Sequence, residues 1–194
     1  MKKLEEFLQR FIGPIAEKMS NNDVIQSVAE GFMRTGPVTF GVCIFVILGN
    51  LPIDGYSDWL ISIGMKAHFD AISNASLNVL ALYISFTVAY AFAKRKGDNP
   101  LSCGVLSLLS FLLIIPQTVE GKDGVINAFN VTYLSGTGIL VALIFAIITG
   151  YMFHFLSSKG LKFKMPEGVP PMVSESFEPI FVSMIIVAFA FLVR

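Results

Sequence analysis

Residues 134–156 read LSGTGILVALIFAIITGYMFHFL, a stretch without a single Asp, Glu, Lys or Arg. A helix needs about 20 mainly apolar residues to cross the hydrocarbon core of a bilayer. A helix packed in a soluble protein normally keeps one charged, solvated face, and this stretch has none. Residues 134–156 therefore predict a membrane-spanning helix.

Four further uncharged stretches flank this one, at residues 36–53, 75–93, 100–117 and 179–193. A helix satisfies its own backbone hydrogen bonds, as lipid requires. We therefore expect an all-α membrane protein with about five transmembrane helices.

The composition agrees with a membrane protein. Apolar residues make up 54% of the 194 residues and charged residues 14%, against about 25% charged residues in soluble domains. The 14 basic residues balance the 14 acidic ones, which gives no indication of nucleic-acid binding. Lipid is the partner that the composition implies.

Basic residues collect in three regions: before the first span, after the second and after the fourth. They are Lys2, Lys3, Arg10, Lys18, Arg34, Lys94, Arg95, Lys96, Lys159, Lys162 and Lys164. Connections 54–74 and 118–133 hold only Lys66 and Lys122. Because Lys and Arg mark cytoplasmic connections, the pattern predicts a cytoplasmic N-terminus and a multi-pass protein.

Residues 1–35 form a separate region in this interpretation. Apolar residues recur there at helical spacing with charges opposite them, which predicts amphipathic helices on the membrane surface or on protein. Residues 36–194 then form the transmembrane domain.

The spans offer no candidate for catalysis, cofactor binding or metal binding. They contain no charged residue, although an ionisable residue inside a span is the usual sign of a functional site. Cys43 and Cys103 lie in apolar stretches and are expected to be buried thiols. His154 lies near the end of the fourth span without an identifiable partner, so an intramembrane hydrolase would need a nucleophile at its depth, and Ser157 and Ser158 lie at the membrane edge.

Connection 54–74 contains Asp58, Trp59, His68 and Asp70. It is either an outer gate that contacts a ligand or an interfacial hairpin anchored by Trp59. Small residues in the third and fourth spans similarly serve either packing within the chain or a dimer contact. They are Gly104, Ser107, Ser110, Gly136, Gly138 and Gly150.

Residues 165–177 read MPEGVPPMVSESF and follow a basic run. Three prolines and a glycine do not continue a helix, so we expect an extended connector before a new helix that starts at Ser174 or Ser176. This segment resembles the IIC permeases of the phosphotransferase system in their lactose, cellobiose and chitobiose branch. The residues that carry the resemblance as a structural motif are Gly168, Val169, Pro170, Pro171, Ser176 and Phe177. The Gly-rich start of the fourth span and Arg34-Thr35-Gly36-Pro37 are also similar to that family.

The resemblance implies a bacterial inner-membrane permease that takes up a β-linked disaccharide such as cellobiose, chitobiose or lactose. A phosphorylated IIB partner would phosphorylate the sugar at the inner face, making the permease part of a phosphoenolpyruvate-dependent complex. Family chains are about twice this length, which implies that this chain is the N-terminal, homodimer-forming half, a truncated or split permease without the transport domain. The alternative interpretation is a non-transporting membrane scaffold or regulatory dimerisation protein.

Overall fold

The computed structural model describes residues 17–121, 124–161, 163, 166 and 170–194. The expected surface helix within the first 16 residues lies outside the described residues. The elements in chain order are α1 (Asp23–Gly49), α2 (Tyr56–Ser62), α3 (Met65–Ala75), α4 (Leu80–Lys96), α5 (Pro100–Ile114), β1 (Thr118–Gly121), β2 (Gly124–Asn127), α6 (Val131–Leu134), α7 (Ile139–Ser158), α8 (Pro171–Phe177) and α9 (Ile180–Val193). Short 3₁₀ turns at Leu77–Val79 and Gly136–Gly138 lead into α4 and α7.

Four helical stretches in the described part of the chain are long and apolar enough to cross a membrane, namely Asp23–Gly49, Met65–Lys96, Gly136–Ser158 and Val173–Val193. Pro100–Ile114 is a shorter apolar helix. Each of these stretches overlaps one of the five that the sequence predicts, although the ends differ, so the expectation of an all-α membrane protein is confirmed.

The first helix is longer than the sequence indicates. Helix α1 runs unbroken from Asp23 through Pro37 to Gly49, so no helix break marks the expected boundary between residues 35 and 36. On either side of Pro37, the hydroxyl of Thr35 donates to the carbonyl of Phe32 and that of Thr39 donates to the carbonyl of Gly36.

Helix α4 lies at the centre of the bundle and packs against α1, α5 and α7. Eight of its residues are buried, among them Ile84, Val88 and Phe92. Side chains from α5, α7 and α9 complete the same core, including Cys103, Phe153 and Ile186. The core of the described domain is therefore built around one helix.

Glycines permit the closest helix contacts. A Cβ added to Gly31 of α1 would lie 2.4 Å from a side-chain carbon of Val88, and one added to Gly150 of α7 would lie 2.7 Å from the Phe92 ring. Gly104 is in similar contact with Phe86, and Ser107 and Ser110 are buried. These positions therefore serve packing within the chain, whereas a Cβ on Gly136 would meet nothing within 4 Å.

Connection 118–133 contains an antiparallel β-hairpin that was not expected, in which Val119 pairs with Ile126. Two sequence-based expectations are wrong. Helix α8 begins at Pro171 rather than at a serine, because proline is well suited to the first position of a helix, where its missing N–H costs no hydrogen bond. Cys103 is buried but Cys43 is exposed, because it lies on the outward side of α1.

Candidate functional site

Charged side chains from four parts of the chain meet at one end of the helix bundle. We call this cluster the charged end; its members are Asp23, Glu30, Arg34, Arg95, Lys96, Asp98 and His154. The start of α1, the end of α4, the turn into α5 and the end of α7 contribute them. The structure thereby brings the basic regions around Arg34, Lys96 and Lys159 to the same end of the bundle, as the charge pattern requires.

Two sets of ion pairs attach α1 to α4. Asp23 Oδ2 lies 2.5 Å from Lys96 Nζ, at the outermost turn of both helices. Glu30 accepts hydrogen bonds from Arg34 at 2.7 Å and from Arg95 at 2.9 Å, through different carboxylate oxygens. The guanidinium of Arg34 also stacks over the ring of Tyr90, 5.0 Å from its centroid. Glu30 therefore joins one basic residue of its own helix to one of the neighbouring helix.

The turn between α4 and α5 is built by a Gly-Asp-Asn-Pro sequence. Gly97 ends α4 in the left-handed region at φ 74°, which glycine adopts without strain. Asn99 caps α5 by accepting a hydrogen bond from the backbone N–H of Ser102 at 3.1 Å, and Pro100 takes the first helical position. This local geometry directs the side chain of Asp98 towards α7.

Asp98 pairs with His154. Their Oδ2 and Nδ1 atoms lie 2.8 Å apart, and the carboxylate is 11% exposed while the imidazole is 37% exposed. A cavity of about 20 Å³ adjoins the pair and is lined by Asp98, Asn99, Phe153, Ser157, Glu178 and Pro179. That volume holds about one water molecule, so the cavity is too small for a sugar.

The segment after α7 returns to this turn. The side-chain amide of Asn99 donates to the carbonyl of Glu175 at 3.5 Å, and the backbone N–H of Phe163 donates to the carbonyl of Glu178 at 3.0 Å. The rings of Phe163 and Phe181 lie 6.0 Å apart. The connection between α8 and α9 is thus held beside Asp98 and Asn99.

We call the residues that carry the family resemblance the proline motif; they are Gly168, Val169, Pro170, Pro171, Ser176 and Phe177. The structure describes only some of them. Gly168 and Val169 lie outside the described residues. Pro170 directly precedes α8 and Pro171 is its first residue, while Ser176 and Phe177 end that helix and are exposed. Within the described residues, therefore, the motif forms a short helix at the charged end.

The chemistry of the cluster is pairing of opposite charges. No group of three or more His, Cys, Asp or Glu side chains that could hold a metal ion occurs among the described residues. An intramembrane hydrolase would need a serine nucleophile beside His154. In the structure, His154 contacts Asp98, and the hydroxyl of Ser158 donates to the carbonyl of Phe155 at 2.8 Å. The sequence alone did not identify Asp98 as the partner of His154, since 56 positions separate them and each looks like an ordinary polar residue at a helix end.

The opposite end of the bundle carries the other polar residues that the sequence singles out. Asp58 and Trp59 lie on α2, and His68 and Asp70 lie on α3. Lys66 Nζ forms an ion pair with Asp70 and lies 3.4 Å from the side-chain oxygen of Asn50. The structure thus separates these residues from the charged end by the length of the bundle.

Comparison with known proteins gives consistent matches. The family model described as "Phosphotransferase system, EIIC" matches residues 29–194. The galactose-specific EIIC component of the phosphotransferase system of Lactococcus lactis is 34% identical, over 100% of this chain and 47% of the relative. The cellobiose-specific EIIC component of Geobacillus stearothermophilus is 30% identical, over 91% of this chain and 42% of the relative.

A solved structure has the same fold. The crystal structure of the transporter ChbC, the IIC component of an N,N'-diacetylchitobiose-specific phosphotransferase system, superposes with a TM-score of 0.84 at 31% identity. The match covers 97% of this chain and 46% of ChbC. The chain therefore spans about half the length of the proteins that it matches.

Proposed function

The chain belongs to the EIIC family of the phosphotransferase system, and on that basis we propose that it forms the N-terminal, interface-forming part of a sugar permease. The observation that carries the proposal is the match to EIIC components along essentially the whole chain, in sequence and in fold. The activity proposed for the complete permease is phosphoenolpyruvate-dependent uptake of a saccharide across the bacterial inner membrane.

The proposed substrate is a β-linked disaccharide of the cellobiose, chitobiose or lactose type. Relatives named for cellobiose and for N,N'-diacetylchitobiose support this class. The five apolar stretches of this chain contain no Asp, Glu, Lys or Arg that would bind a sugar within the membrane. The sugar specificity is therefore assigned to the remainder of the permease, which forms the transport domain in this proposal.

The proposed orientation places the charged end in the cytoplasm. Cationic side chains gather there, whereas Lys66 is the basic residue of α2 and α3 at the opposite end. The positive-inside rule supports this assignment. A phosphorylated IIB component would then approach the same face of the membrane as the proline motif.

The proposed oligomer is a homodimer. The outward side of α7 carries large apolar side chains, with Leu140 71% exposed and Ile144 55% exposed. Lipid or a second copy can cover such surfaces, and the family resemblance favours a dimer through this half. Residues 36–194 would form the interface domain, with the proline motif in a structural role.

Uptake by membrane vesicles tests the proposal. Vesicles that contain this chain, the part of an EIIC relative that this chain does not match and the soluble components are expected to accumulate sugar phosphate when phosphoenolpyruvate is supplied. Vesicles that contain this chain and the soluble components alone are expected to accumulate none. Uptake by the chain alone would contradict the proposal, and equal uptake without the chain would favour a scaffold without a role in transport.

A further inference from the structure

The segment around α2, residues 53–65, exposes large apolar side chains beyond the end of the first span. Five of them are exposed: Ile53 60%, Trp59 53%, Ile61 60%, Ile63 49% and Met65 42%. Asp54 and Asp58 are the charged residues of the segment, and both are exposed. A contiguous set of this kind on a small domain usually marks an interaction surface.

The segment is a defined structure rather than a loose connection. Gly55 at φ 79° precedes α2 and Gly64 at φ 74° precedes α3, so that the chain turns sharply at both ends of α2. The hydroxyl of Tyr56 donates to the carbonyl of Leu48 at 2.8 Å, which holds the start of α2 against the last turn of α1. Leu60 is buried, at 2% exposure. The position of α2 relative to the first span is therefore fixed.

The length of α1 gives the depth of this segment in a membrane. From Arg34, the last charged residue of α1, to Asn50 the helix rises about 24 Å at 1.5 Å per residue. The hydrocarbon core of a bilayer is about 30 Å thick. If the backbone of Arg34 lies at one boundary of the core, the other boundary falls about 6 Å beyond Asn50. If the backbone of Arg34 lies about 6 Å inside the core and its long side chain reaches back to the headgroups, the other boundary falls at Asn50. Both positions place α2 at the boundary between hydrocarbon and headgroups.

We propose that α2 lies in the membrane interface on the side opposite the charged end, with Trp59 at the level of the lipid headgroups. Trp and Tyr concentrate at this level because their rings are apolar and carry one polar group. Tyr56 and Trp59 supply such a pair, with ring centroids 5.7 Å apart. The end of α1, which Tyr56 contacts, also exposes apolar side chains, with Ile47 54% and Leu48 43% exposed.

The exposed apolar side chains of residues 53–65 accordingly contact the lipid bilayer. Asp54 and Asp58 reach the headgroup region or water, while the isoleucines enter the outer part of the acyl chains. The inference is independent of sugar transport, because it concerns how the bundle is held in the membrane. It fixes the depth of the first span and limits its sliding along the membrane normal.

The chain provides its own probe, because Trp59 is its one tryptophan. The experiment reconstitutes the unmodified chain into vesicles of phosphatidylcholine brominated either close to the headgroup or near the end of the acyl chain. The fluorescence of Trp59 is expected to be lost most strongly with bromine close to the headgroup. Acrylamide added to the water is expected to quench it weakly.

Two variants that move the tryptophan to other positions show how the fluorescence responds in the membrane interior and in water. Trp59→Phe combined with Phe40→Trp places the probe within the first span and is expected to respond most to deep bromine. Trp59→Phe combined with Val125→Trp places it on the β-hairpin and is expected to respond to acrylamide. Phe40 is 82% and Val125 70% exposed in the structure, so both substitutions have space.

Two results would overturn the inference. Strong acrylamide quenching of Trp59 without a bromolipid effect would place α2 in water. Insensitivity to both quenchers would mean that protein covers it, and recovery of bromolipid quenching on dilution of the chain in lipid would identify a second copy as the cover.

Discussion

Asp98 Oδ2 and His154 Nδ1 lie 2.8 Å apart, although 56 positions separate the two residues in the chain. The contact joins the turn after α4 to the end of α7. Asn99 in the same turn contacts the carbonyl of Glu175 at 3.5 Å. One turn therefore holds both α7 and the segment that carries the proline motif.

The first prediction concerns this pair. The variants Asp98→Ala and His154→Ala are each expected to lower the thermal unfolding midpoint in detergent, and the double variant to lower it by less than the sum. The coupling free energy should be about 1 kcal/mol, because the pair is part-buried and hydrogen-bonded.

The pair of Lys66 and Asp70, which is also part-buried but lies within a single helix, is the matched control. The two residues are four positions apart on one helix, so their coupling should be about 0.3–0.5 kcal/mol. Additive effects of the Asp98 and His154 substitutions would show that their contact does not stabilise the bundle.

The second prediction concerns the close approach of α7 to α4. Gly150→Ala should cost about 1–3 kcal/mol, because the added methyl group would lie 2.7 Å from the ring of the fully buried Phe92. Gly41→Ala in α1 is the control, since its Cβ meets nothing within 4 Å. Equal unfolding midpoints for the two variants would contradict the packing described here.

The third prediction concerns buried serines on α5. The hydroxyl of Ser107 donates to the carbonyl of Ser85 on α4 at 2.9 Å, whereas that of Ser110 donates within its own helix to Leu106 at 2.8 Å. Ser107→Ala should destabilise the bundle by about 0.6–2 kcal/mol, because it removes a hydrogen bond between helices inside the membrane.

Ser110→Ala removes a hydroxyl of equal burial and size but leaves the bonds between helices intact. Its unfolding midpoint is expected to stay near that of the unmodified chain. A larger loss at Ser110 than at Ser107 would show that the contact between helices is not the source of the stability.

The spans were the most predictable part of the fold. An apolar segment in lipid must satisfy its own backbone hydrogen bonds, and a helix does so, which is why residues 134–156 were predicted as a helix. The ends were less predictable: the second apolar stretch was expected from residue 75, whereas a continuous apolar helical stretch already begins at Met65. Lys66, His68 and Asp70 lower the hydropathy of α3. The sequence therefore did not indicate that α3 extends the second span towards Met65.

The β-hairpin and the charged end could not be derived in the same way. Only four residues form each strand, although Gly124 at φ 121° is a turn signal that glycine supplies readily. The Asp98–His154 pair depends on how three helices are placed around α4, and no local pattern encodes that placement. The charge pattern did indicate correctly that Arg34 and Arg95 lie at one end.

The fourth prediction concerns orientation. In a background with Cys43→Ser and Cys103→Ala, Lys94→Cys should be protected from an impermeant thiol reagent in intact cells and should react in opened cells. Val125→Cys on the β-hairpin should react in intact cells. Lys94 and Val125 are both exposed in the structure, so a difference between them reports the side of the membrane, and the reverse labelling pattern would contradict a cytoplasmic charged end.

A chimera tests the central claim most directly. This chain would replace the segment that it matches in the galactose-specific relative of Lactococcus lactis, which is 47% of that protein. We expect phosphoenolpyruvate-dependent galactose uptake, with the specificity of the retained part. A chimera that is inserted in the membrane yet takes up no galactose, while the relative cut and rejoined at the same point remains active, would contradict the assignment of this chain as a functional part of a sugar permease.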